Sequence, residues 1–138
     1  MFFDLEFYVP ESSRVETGLC YNPWDKKCKL LGGSFFVANP ANDLKISDNA
    51  VAQKIQSFWL WDIQDEKALV TKIYELLNSA LSVVHHAHSN QIAPLLCGIG
   101  ISSSDVPVLI ELFKRYHILS NAEAFRFQSK FRVIDLSQ

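Results

Sequence analysis

Cysteine, glycine and proline are all scarce in this chain of 138 residues, at three, five and five. Three cysteines, Cys20, Cys28 and Cys97, are an odd number. No basic n-region followed by an apolar h-region opens the chain. A secreted disulfide framework is therefore not expected, and a reducing cytoplasmic setting is. So few Gly and Pro exclude collagen-like and linker-like compositions. No apolar run approaches the roughly 18 to 20 residues that span a bilayer, which predicts a soluble chain with no membrane partner. Basic charge is not in excess either, with 13 Lys and Arg against 15 Asp and Glu for a net charge of −2. That balance argues against holding a polyanion by a broad basic surface. What is present is apolar: 49% of residues are hydrophobic and only 20% charged, which excludes a disordered chain. A chain of this length buries roughly 68 to 70% of its unfolded surface, so residues 1–138 are read as one globular domain.

Apolar periodicity then sorts the elements. Residues 2–9 (FFDLEFYV) are aromatic and aliphatic on both sides, which predicts a buried strand whose acids, Asp4 and Glu6, need an explanation. Residues 14–21 and 28–38 read as two more strands joined by Asn22-Pro23-Trp24-Asp25, giving a three-stranded antiparallel meander. Gly32-Gly33 in the third run suits a bulge. Residues 39–49 read as a loop, and the type of 51–61 is left open. After an N-cap at Asp65, the apolar residues Leu69, Ile73, Leu76, Leu77 and Ala80 fall on one helical face, predicting a helix over 66–81. Residues 95–101 (LLCGIGI) suit a buried strand. Residues 102–105 then open a second helix running through Tyr116, with Pro107 in its first turn. Residues 131–136 read as a last strand. Three strands followed by helix, strand, helix, strand imply a mixed α/β sheet with right-handed parallel crossovers.

Asp4 and Glu6 lie at i and i+2 on a strand, so both carboxylates project from one face, close enough to share a cation. A hard divalent ion such as Mg²⁺ or Mn²⁺ would let both stay ionised. A solvated strand face explains the same pair without a metal. Asp105 sits at a strand-to-helix turn, where α/β sheets commonly place ligands, and taken alone it is explained better as a helix cap.

Taken together these residues resemble the DEDD 3′-to-5′ exonucleases. Phe3-Asp4-Leu5-Glu6 looks like the first motif of that family, and the stretch from Gly100 through Asp105 and Pro107 to Leu109 looks like the second. Asp65-Glu66-Lys67-Ala68-Leu69 and Val9-Pro10 are most similar to bacterial exonucleases related to the proofreading domain of family B DNA polymerases. The resemblance implies a ribonuclease H-like fold and hydrolysis of a terminal phosphodiester of DNA or RNA with two Mg²⁺ or Mn²⁺ ions. It also implies a single-stranded or 3′-terminal nucleic acid as partner. Asp4, Glu6 and Asp105 match the first three metal-binding, catalytic acids. Leu5 and Phe7, beside the acid pair, are the expected substrate contacts, and Asp135 is a possible additional acid.

The chain departs from the family pattern in three places. The fourth acid of the family, carried with a His or Tyr on a last helix, has no counterpart before Gln138. Phe7 stands where Thr commonly follows the acid pair, and Ser104 where Phe commonly precedes the second-motif Asp. The expectation is a C-terminally truncated exonuclease domain. Its alternative is a non-catalytic nucleic-acid or protein-binding module on the same scaffold. Phe125-Arg126-Phe127 and Lys130-Phe131-Arg132 interleave aromatics with bases, which reads as an amphipathic edge strand rather than a base-stacking surface. His85, His86 and His88 with the three cysteines lack zinc-ligand spacing, and Gly98-Ile99-Gly100 lacks the rest of a nucleotide fingerprint.

Overall fold

A computed structural model describes residues 1–14, 21–39, 47–89 and 91–137. Five strands form one mixed sheet in the order β3-β2-β1-β4-β5. They are β1 (Phe2–Tyr8), β2 (Lys29–Phe36), β3 (Gln56–Trp59), β4 (Leu95–Gly98) and β5 (Arg132–Asp135). β1 pairs antiparallel with β2, and β2 with β3. On its other side β1 pairs parallel with β4, and β4 with β5. The helices are α1 (Asp48–Lys54), α2 (Leu60–Ile63), α3 (Glu66–His88), α4 (Asp105–Arg115) and α5 (Asn121–Ser129). The mixed α/β class and the crossover order thus follow the expectation. No described helix is long and apolar enough to cross a membrane.

The meander is built differently from the expectation. Residues 15–20 of the expected strand over 14–21 lie outside the described residues. Arg14 and Tyr21 belong to no strand, and β1 pairs directly with Lys29–Phe36. The third strand of the meander is Gln56–Trp59, from the stretch whose type the sequence left open. The Asn22 turn is present: its side chain accepts from the Trp24 amide at 3.0 Å and its carbonyl from the Asp25 amide at 3.1 Å. A register shift falls between Glu6 and Phe7, where Leu31 is the extra residue of β2 beside Gly32. This is the bulge that Gly32-Gly33 foretold.

α3 forms as its periodicity requires. Asp65 caps it by accepting from the Ala68 amide at 2.8 Å, and Leu69, Val70, Ile73, Leu77 and Leu81 are buried. It runs two turns beyond 66–81, through His85, His86 and His88, whose imidazoles suit the negative end of a helix. The expected edge strand at Phe125-Arg126-Phe127 is instead helix α5. Ser120 and Glu123 form a capping box that starts this helix: the Glu123 amide donates to Ser120 Oγ and the Ser120 amide to the Glu123 carboxylate. Phe127 enters the core against Tyr74, Phe113 and Phe131, with ring centroids 5.2 to 6.0 Å away, while Phe125 is exposed.

The apolar residues of α3, α4 and α5 pack on one face of the sheet against Phe3, Leu5, Leu30, Phe35 and Leu96. β1 is therefore not buried on both faces. Its odd residues Phe3 and Leu5 are 5% exposed, while Phe2, Asp4, Glu6 and Tyr8 are open to solvent. Period-2 alternation decides which is which. No described element covers the second face around Asp4 and Phe2, where a groove of about 540 Å³ runs past Phe2, Asp4, Ser34, Phe36, Ile55 and Ile99.

Candidate acidic site

Asp4 and Glu6 sit on the open face of the central strand, as their spacing requires. Asp4 stands opposite Ser34, and Glu6 stands opposite Gly32. Leu5, between them, points into the core and presents only its backbone to this region. Phe7 is on the core side as well, packed on Tyr21 with ring centroids 4.6 Å apart. The side chains of the two expected substrate contacts are thus turned away from the acid pair.

Asp105 reaches this strand from the opposite direction in sequence. β4 is hydrogen-bonded to β1 in a single register, Phe2 with Cys97, and then turns away after Gly98. Beyond that point the β1 amides facing β4 have no strand partner. The Asp105 carboxylate takes one of them: Leu5 N–H donates to Asp105 Oδ2 at 3.1 Å across 100 residues of sequence. Asp105 is not the cap of α4. That position belongs to Ser104, and Asp105 is the first helical residue, with Pro107 in the first turn. The helix-cap explanation of Asp105 gives way to a bond onto the acid-bearing strand.

Asp105 is only 4% exposed. Burial raises its pKa above the ordinary carboxylate range. The Ser104 hydroxyl and the Leu5 amide pull the pKa back down, and the charges of Asp4 and Glu6 raise it again. The charges of the two exposed acids thus reach the buried Asp105. Ser104 Oγ lies 2.7 Å from Asp105 Oδ1 and 2.8 Å from the Gly100 carbonyl oxygen, and its single proton serves one of them at a time.

Asp135 ends β5 opposite Gly98 and is committed elsewhere. It accepts from the Gly100 amide at 2.8 Å, the Ser102 amide at 2.9 Å, the Ser102 hydroxyl at 2.5 Å and both polar groups of Ser137. These bonds hold its pKa well below the usual range. Its carboxylate fastens the turn that follows β4, in which Gly100 has a φ of 72°. That turn carries Asp105 to β1, so Asp135 positions the site without joining it.

As donors for a divalent ion, the acids offer hard oxygens. Asp4 and Glu6 are accessible. Asp105 Oδ2 is held by the Leu5 amide, and among the described residues no three His, Cys, Asp or Glu side chains converge on one ion position. Asp4 and Glu6 remain exposed as oxygen donors, whereas Asp105 is engaged by the Leu5 amide and the Ser104 hydroxyl. Cys28 and Cys97 are buried free thiols, and Cys20 lies outside the described residues.

Two contributors escaped the sequence reading. Ser104 was noted as a departure, not as the hydroxyl beside Asp105. Glu66 reads in the sequence as the first residue of a helix and as part of the Asp65-to-Leu69 resemblance, with no partner assigned to its carboxylate. It is 7% exposed and accepts from the Leu30 amide at 2.8 Å, Lys29 Nζ at 3.2 Å and the Tyr116 hydroxyl at 2.5 Å. An acid directly after a capped helix start is an ambiguous signal, since the first turn favours acids on electrostatic grounds alone. Comparison of the chain with protein-family models, curated proteins and solved structures finds no match.

Proposed function

We propose that the chain carries the acidic half of a metal-dependent 3′-to-5′ exonuclease-like site on a ribonuclease H-like sheet, acting on the end of single-stranded DNA or RNA in the cytoplasm. The observation that carries this reading is the meeting of Asp105 with β1 between Asp4 and Glu6. Residues 100 positions apart come together, and the charges of Asp4 and Glu6 reach the buried Asp105 with no cationic partner for it among the described residues. The strand order β3-β2-β1-β4-β5, antiparallel then parallel, supports it. So does the open face above the acids, which leaves room for a nucleic-acid end.

Bound Mg²⁺ or Mn²⁺ would supply activation of the attacking water and stabilisation of the leaving oxygen. The chain's own residues do the rest. Asp4 and Glu6 offer ionised oxygens at the open surface. Asp105 is held in reserve by Leu5 and Ser104, and Asp135 fixes the turn that delivers it.

The test is release of mononucleotides from 3′-labelled single-stranded DNA and RNA with Mg²⁺ or Mn²⁺. Asp4→Ala is expected to lower release by more than the roughly 10- to 100-fold typical of outer-shell metal partners. Absence of release from both polymers with either metal overturns the reading. One observation favours a second reading, a binding module without catalysis: Asp105 is already satisfied by protein donors. Titration with Mn²⁺ separates the two. A nuclease site binds the ion and loses it on Glu6→Ala, whereas a binding module has no carboxylate-dependent ion.

A further inference from the structure

The open face of the sheet carries a second feature beside the acids. Trp59 ends β3 and Trp61 lies in α2. Their indoles are stacked, with centroids 4.7 Å apart and planes 9° from parallel. Trp61 is 60% exposed. With one ring face against Trp59, that exposure belongs to its other face and its edges. Burying a large aromatic surface is favourable, so an indole held flat and open is suited to receiving another flat ring.

The stack is set beside the acids by β-sheet register. Trp59 pairs with Gly32, and Gly32 pairs with Glu6, so the three residues form one row across the sheet on the same face. Two strand spacings, roughly 10 Å, separate the backbones of Trp59 and Glu6. Gly32 leaves the interval clear. Its φ of 142° disfavours other residues, and a Cβ there would lie 2.6 Å from Trp59 Cε3 and 2.1 Å from the Phe58 carbonyl oxygen. The Trp59 ring therefore lies over Gly32, in the place next to Glu6, and Trp61 continues the stack.

We infer that Trp59 and Trp61 form a base-stacking platform that holds an unpaired nucleobase of single-stranded nucleic acid beside the acid pair. The inference rests on the nucleic-acid reading above and specifies its ligand. The ligand must be single-stranded, because a paired and stacked base does not offer its face. The platform is sequence-tolerant, because every base has a π-face. It also answers the charge balance of the chain: a net charge of −2 leaves little for phosphate capture, and stacking needs no basic surface.

The experiment is anisotropy of a fluorescently labelled oligothymidylate titrated with the full chain in Ca²⁺, which permits binding without turnover. Trp61→Ala is expected to weaken binding about 5- to 150-fold, the range of one lost base stack, and Trp61→Phe to restore most of it. Trp24→Ala, at a Trp 73% exposed and outside this row, should leave binding unchanged. The same oligonucleotide with abasic spacers should bind the wild-type chain as weakly as Trp61→Ala binds the intact one, and Trp61→Ala should weaken it no further. Circular dichroism of each variant checks folding, which an exposed Trp61 should not disturb. Unchanged affinity in folded Trp61→Ala, or equal losses on intact and abasic strands, overturns the platform. So does a wild-type chain that ignores oligonucleotides and uses this surface for a protein. Because binding is read without cleavage, the two readings fail separately. A platform with no nuclease leaves the Trp61 effect intact, and a nuclease with no platform leaves Asp4→Ala inactive and Trp61→Ala normal.

Discussion

Glu66 and Asp105 occupy matching places: each is the first residue of a helix, each is nearly buried, and each accepts a backbone amide from the sheet. They differ in what balances their charge. Glu66 has Lys29 and Tyr116 as well as the Leu30 amide, so its negative charge is met on the spot. The Tyr116 hydroxyl, in turn, has its pKa raised by burial and by this bond. Among the described residues Asp105 has Leu5 and Ser104 as partners, both neutral, and the charges of two further acids reach it. A buried acid with a cation of its own reads as part of the scaffold. One without, pressed by like charges, has a deficit that a ligand can fill.

Substitution sharpens this contrast. Glu66→Ala should have the largest effect on folding, about 3 kcal/mol by urea denaturation, because the buried Leu30 amide and the Tyr116 hydroxyl both lose their acceptor. Asp105→Asn keeps an oxygen for the Leu5 amide and should change stability at pH 7 in EDTA by less than about 1 kcal/mol, or raise it. A loss as large as that of Glu66→Ala would make Asp105 a scaffold acid and dissolve the contrast. The pH dependence is a finer test. The pKa of Asp105 is raised by folding, so the native chain binds more protons than the unfolded one above about pH 4. Stability there declines as pH rises towards the folded pKa and is constant beyond it, and Asp105→Asn should remove that slope. The smallest effect belongs to Asp135, a half-buried acid with a lowered pKa. Its contribution is complete at neutral pH and fades as pH falls through the acidic range. Asp135→Asn should leave the global midpoint almost unchanged while speeding hydrogen exchange at the Gly100 and Ser102 amides.

Elements whose own residues specify their packing were legible in the sequence. α3 announces itself through Leu69, Ile73 and Leu77, and the same-face placement of Asp4 and Glu6 follows from period 2. What escaped depends on pairing or on competition between local signals. The sequence offers residues 14–21 as the neighbour of β1. Choosing Lys29–Phe36 instead takes the register of the sheet, which only the assembled strands define. Phe125-Arg126-Phe127 alternates like a strand, yet the Ser120 and Glu123 capping box three residues apart outweighs two aromatic positions. For the site, the residue types were legible and their bonds were not. Asp105 looked like a cap because caps are local, whereas its actual partner is 100 residues away, at an amide left free only because β4 turns off after Gly98.

That edge of β1 ties the backbone to the position of the Asp105 carboxylate. Any event that draws the Asp105 carboxylate towards Asp4 and Glu6 must release the Leu5 amide, and any event that strengthens the Leu5 bond withdraws the carboxylate. The position of the Asp105 side chain and the hydrogen bonding of the strand beneath it are therefore coupled through one amide proton.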